Sequence, residues 1–146
     1  MRASDRLRAL AKGYFGLNWV FLANVLLSVA SFVVTRGPDA GLQASIATAV
    51  LVFLVITAAS FPFNREIGAG KGWSPVGPVI ASLLMGLNSA LCCGIIGYLV
   101  MQSIAMNEMK RLGLRAGFLG VRRKDVDALA EALDRTGGEY PRQQIT

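Results

Sequence analysis

Residues 72–107, GWSPVGPVIASLLMGLNSALCCGIIGYLVMQSIAMN, run for 36 positions without a charge. Two further uncharged stretches precede them, Gly13 to Thr35 (23 residues) and Ala40 to Asn64 (25 residues). A helix needs roughly 20 mostly apolar residues to cross the ~30 Å hydrocarbon core of a bilayer, and all three stretches reach that length. A water-soluble helix of this size alternates apolar and charged faces, which these stretches do not. The expected fold class is therefore all-α: an integral membrane protein with a three-helix transmembrane bundle and an amphipathic, cytoplasm- or surface-lying C-terminal helix.

Composition agrees. Of the 146 residues, 53% are hydrophobic and 16% charged, where soluble domains average about 25% charged. The net charge of +6 collects before the first stretch and after the third. Cations beside apolar spans engage anionic lipid headgroups, at ~1 kcal/mol per Lys or Arg. The candidate headgroup contacts are Arg2, Arg6, Arg8, Lys12, Lys110, Arg111, Arg115, Arg122, Arg123 and Lys124. No nucleic-acid-binding motif accompanies the charge, so nucleic acid is not an expected partner.

Three regions follow. Residues 1–16 form a basic leader in which Leu7, Leu10, Ala11 and Tyr14 share one helical face, suited to lying at a membrane surface. Residues 17–112 hold the spans, about 17–35, 41–61 and 78–105, the last with a helical extension to 112. Arg36-Gly37-Pro38-Asp39 makes a tight turn between the first two, and the glycine-rich segment from Asn64 to Pro78 reads as a loop. Residues 113–146 form a basic amphipathic tail with a disordered end. Within it, 125–136 is a short helix with Val126, Leu129, Ala130 and Leu133 on one face, expected to dock on lipid or a partner because so short a helix is marginal alone.

The third stretch carries a stripe of small residues, Ser82, Gly86, Ala90 and Gly94, beside a second, Ser89, Cys93 and Gly97. Small residues four apart let two helix backbones approach closely in lipid. These are the expected helix-packing positions, with the other spans or a second copy of the chain as partner. The intramembrane polar residues are Asn24, Ser28 and Ser31, continued by Thr35, on the first span and Asn88 on the third. An Asn24–Asn88 hydrogen bond across the bundle is expected, since buried amides seek interhelical partners. The alternative is a polar pathway for a small solute.

No Asp, Glu, Lys, Arg or His interrupts the three stretches. Proton relays and ion paths normally carry such groups, and a membrane-embedded active site would lack its usual acids and bases. There is no histidine, and the only cysteines are the adjacent Cys92 and Cys93. Adjacent helical side chains diverge by ~100° and do not converge on one ion. No catalytic residue, metal site or cofactor site is expected, and the protein is not read as an enzyme. Its expected role is helix packing or assembly, as a homo-oligomer or as part of a larger membrane complex, with a channel or transport subunit as the alternative.

Three spans would place the termini on opposite sides. Near the span ends the basic residues then divide six against seven, and the positive-inside rule cannot choose. A cytoplasmic N-terminus is narrowly preferred, in a multi-pass protein of a cell or inner membrane. A re-entrant third segment turning near Gly86-Leu87-Asn88-Ser89 is the remaining resolution; it would put both termini inside.

Overall fold

A helix cannot continue through a residue in the left-handed conformation, and Gly94 holds φ +73°. The third apolar stretch is therefore two helices. The computed structural model describes residues 1–35, 41–92, 94–115 and 120–136, without the side chain of Cys92. Cys93, the expected turn at 36–39, Phe118, Leu119 and everything from Gly137 onward lie outside the described residues. Five helices are described: α1 (Ala3–Thr35), α2 (Leu42–Lys71), α3 (Val76–Cys92), α4 (Ile95–Arg111) and α5 (Arg123–Arg135).

The contacts fix the topology. Leu10 and Gly13 of α1 lie against Gly70 and Ile67 of α2, so those helices are antiparallel. Gly68 lies against Pro78, and Gly86 against Phe53 and Thr57, so α3 returns along α2. Tyr98 and Gln102 of α4 bond Val20 and Asn18 of α1. The result is an up-down-up-down arrangement of α1 to α4. Helix α5 lies outside it, antiparallel to the first turns of α1, with Arg123 over the Phe15 ring and Asp134 on Arg8.

Four expectations are corrected. The three-helix bundle gives way to two long helices and a hairpin of two 17-residue helices. Among the described residues only α1 and α2 are long and apolar enough to cross a membrane. The leader is not a separate surface helix, because it continues unbroken into α1. The expected loop from Asn64 is helical as far as Lys71; Gly72 at φ 78° ends α2, and Trp73 N–H closes the turn on Gly68 O at 2.8 Å. Finally, the tail helix docks on its own chain through Val126, Ala130 and Leu133.

Burial divides the molecule along its length. At the charged end Leu7, Leu10, Ile67, Met109, Ala130 and Leu133 are almost wholly buried in one core. At the other end no residue of α1 beyond Asn24, and none of α2 before Val52, is buried. Large apolar side chains there point outward, among them Leu26 (64% exposed), Val33 (68%) and Leu91 (73%). The α3–α4 hairpin stops at the level of Asn24, leaving the last 11 residues of α1, ~16 Å of helix, beyond its tip.

A Cβ on Gly86 would collide with Thr57 Oγ1 and lie 2.8 Å from Phe53 O. Gly86→Leu should force α3 off α2 and destabilise the fold by about 1–3 kcal/mol, the usual cost of overpacking. Thermal unfolding in detergent, followed by circular dichroism, measures this. Wild-type stability in the variant would contradict the α2–α3 contact.

Candidate functional site at the hairpin tip

The α3–α4 turn brings polar atoms together deep among apolar side chains. Gly94 N–H donates to Asn88 O at 3.2 Å. A Cβ at position 94 would collide with Ser89 Oγ and lie 2.6 Å from Asn24 Nδ2. Both the backbone angle and the space therefore require glycine there. Asn24 is fully buried and Ser89 nearly so. One turn on, Tyr98 donates its hydroxyl to Val20 O at 3.4 Å and meets Phe21 edge-on at 5.3 Å. These contacts tie the start of α4 to the middle of α1.

Above the tip, a cleft of about 260 Å3 opens between α1 and α2. Ser28, Ser31 and Thr35 line one wall, Ser45 and Thr48 the other, and Ser89, Ala90 and Val52 its floor. Thr35 Oγ1 donates to Ser31 O at 2.8 Å, and Ser45 Oγ to Gly41 O at 3.5 Å. A hydroxyl bonded back to its own helix retains acceptor capacity. The cleft can thus receive a small hydrogen-bonding molecule. Below its floor Ile56, Met85, Tyr98 and Met101 fill the bundle.

The expected polar residues meet only in part. Asn24, Ser28 and Ser31 line the tip and cleft as one stripe. Asn88 faces the opposite side, in the groove between α3 and α4. Its Oδ1 is buried without a hydrogen-bond partner among the described residues, so the Asn24–Asn88 pair is not made. The interhelical amide bond instead joins Asn64 Nδ2 to Ser82 Oγ at 2.9 Å, with Met85 Sδ at 3.4 Å and Ser82 donating to Pro78 O. In the sequence Asn64 is masked by its charged neighbours Arg65 and Glu66; its place four residues after Ser60 on α2's inward face is the available signal.

The small-residue stripe is divided among different surroundings. Ser82 and Gly86 lie against α2, Ala90 borders the cleft, and Gly94 forms the tip. A Cβ on Gly97 would lie 3.4 Å from Met85 Cγ across the hairpin. The cations cluster at the far end of the bundle. Arg6 donates to Gly70 O at 2.8 Å, capping α2. Lys12 pairs with Glu66 at 2.6 Å, Arg8 with Asp134 at 2.8 Å, and Arg111 with Glu108 at 3.0 Å. Arg2, Lys110, Arg115, Arg122 and Lys124 are exposed at the same end. Among the described residues no group of His, Cys, Asp or Glu could hold a metal ion.

No protein-family model, curated protein or solved structure matches the chain.

The Ser4 hydroxyl and then the Arg8 guanidinium hold the Asp134 carboxyl below its ordinary value of 3.8. A depressed folded-state pKa adds stability that is present above the unfolded value and lost as pH falls through the folded one. Docking of α5 should therefore weaken below about pH 3.8, and Asp134→Asn should remove that dependence. Amide exchange within α5, followed against pH, is the measurement; identical profiles for both proteins would refute the link.

Proposed function

We propose that this chain is a non-enzymatic integral membrane protein. In this reading α1 and α2 span the bilayer, the α3–α4 hairpin enters and leaves it from one side, and the charged end forms a cytoplasmic docking platform. The observation that carries the reading is the segregation of surface chemistry along the bundle. In water, each outward Leu, Val or Phe would forgo roughly 1.5–3 kcal/mol available from burial; in lipid it forgoes nothing. The α3 helix, at 17 residues, is ~25 Å long, short of a full crossing but suited to a hairpin whose turn is covered by protein.

The hairpin also supports one orientation. With α1 to α4 alternating in direction, both described ends of the chain fall on one side. That side holds the four cations of the α1 leader, Arg65 and Lys71, and the seven from Lys110 to Arg135. In sequence, Arg36 is the one cation between α1 and α2. The positive-inside rule assigns the cationic side to the cytoplasm. The platform's chemistry suits anionic headgroups and the acidic surface of a larger membrane complex. Because Ser82 and Gly86 are occupied by α2, self-association would have to use another surface.

Reporters active only in the cytoplasm, fused in turn to each terminus and inserted at residues 36–40, test this. Both termini should report cytoplasmic and the insertion should not. Termini on opposite sides would refute the hairpin topology.

A second reading, solute binding within a transport assembly, is favoured by the hydroxyl-lined cleft. The packed floor beneath it blocks a path through a single chain: liposomes holding the protein alone should show no urea or glycerol flux above empty vesicles. Measurable flux, lost in Ser31→Leu, would move the solute reading to first place.

A further inference from the structure

The hairpin helices diverge from each other on the side away from α1 and α2. Between them runs an apolar groove of about 700 Å3. Ile80, Leu84 and Leu87 form one wall, and Ile96, Val100 and Ile104 the other. Its length follows α3 from Gly77 to Leu91, ~21 Å at 1.5 Å per residue, somewhat more than one leaflet of a ~30 Å hydrocarbon core. Its floor is Ala81, Met85, Gly97 and Met101, and the small Ala81 and Gly97 keep it deep. Apart from Asn88, one turn below Leu91, its polar lining lies at the lower mouth. There Trp73 and Ser74 border the groove, and Lys71 Nζ lies 5.7 Å from the Trp73 ring centroid. Lys71 shares Glu108 with Arg111, at 3.9 and 3.0 Å, so two cations flank one carboxylate beside the mouth.

We infer that this groove binds one acyl chain of an anionic phospholipid from the leaflet on the cationic side, with the phosphate at Lys71 and the glycerol region beside Trp73. The inference rests on the membrane reading above. Charge complementarity selects the occupant: an apolar slot one leaflet deep ends at a mouth with excess positive charge. Basic pockets between membrane helices on the cytoplasmic side bind anionic headgroups for the same reason. A protein helix would bring its own polar backbone ends to the upper end, where the lining beyond Asn88 is Leu91 and Ile96; a lipid tail ends in a methyl.

The chain has two tryptophans, Trp19 and Trp73. Trp19 is exposed on α1, away from the groove, and reports ordinary surrounding lipid. Single-tryptophan proteins, Trp19→Phe and Trp73→Phe, would be placed in vesicles in which a fraction of either phosphatidylglycerol or phosphatidylcholine carries brominated chains. Brominated phosphatidylglycerol should quench Trp73 with about fivefold higher apparent affinity than phosphatidylcholine, the ratio one lysine contributes near anionic lipid. Trp19 should show no such preference. Gly97→Leu and Val100→Phe, which fill the groove from floor and wall, should each abolish the preference at Trp73. Equal quenching of Trp73 by both lipids overturns the inference. So does a preference that survives both substitutions, or one that Trp19 shares. Absence of quenching at both tryptophans would overturn the membrane reading itself.

Discussion

The contact of Gly94 with Ser89 and Asn24 sets the rest of the architecture. A side chain at position 94 would have neither an accessible φ nor space. With glycine the chain reverses, and α4 returns beside α1 with Tyr98 against Val20 and Phe21. That return brings Arg111 and the segment beyond it to the same end as the leader. The docking of α5 on α1, the pairing of Arg8 with Asp134, and the collection of cations at one end are all consequences. A straight helix over residues 78–105 would separate those partners by the full thickness of the bundle.

The break is tolerated because its polar groups are supplied locally. Ending α3 and starting α4 within three residues exposes carbonyls at one terminus and N–H groups at the other. Gly94 N–H finds Asn88 O, and Asn24 and Ser89 bring side-chain amide and hydroxyl groups to the same place. The polar stripe on α1 thus has a structural duty at its lower end, Asn24, and a free one at its upper end, where Ser28, Ser31 and Thr35 line the cleft. One sequence pattern serves two surroundings because the hairpin stops partway up α1.

The all-helical class and the apolar faces of α1 and α2 were legible because they depend on local composition and length. The tail helix was legible from Val126, Ala130 and Leu133, and its observed span, Arg123–Arg135, lies close to the expected one. The position of the break was not. Gly86, Gly94 and Gly97 look alike in sequence, and glycine is common within membrane helices. What separates them is tertiary: Gly86 is helical against Phe53 and Thr57, whereas Gly94 meets Asn24 from a helix 70 residues earlier. The continuation of α2 through Pro62 to Lys71 was hidden for the same reason. Gly68 and Gly70 read as loop residues, but each is the point where a neighbour, Pro78 or Leu10, comes close.

Stability and openness sit at opposite ends of the molecule. The charged end is packed as in a soluble protein: interlocking apolar side chains from α1, α2, α4 and α5, ion pairs around them, and Arg6 on the end of α2. The other end is two helices with a hydroxyl-lined cleft between them and no buried residue on α1 after Asn24. Such a pair cannot hold its geometry in water, because nothing there offsets the conformational entropy of ordering it. In a bilayer, unmade backbone hydrogen bonds are costly enough to keep both helices intact without tertiary support. On the proposed reading the surroundings, not the protein core, stabilise this half, which leaves the separation of α1 and α2 around the cleft free to vary while the cytoplasmic platform stays rigid.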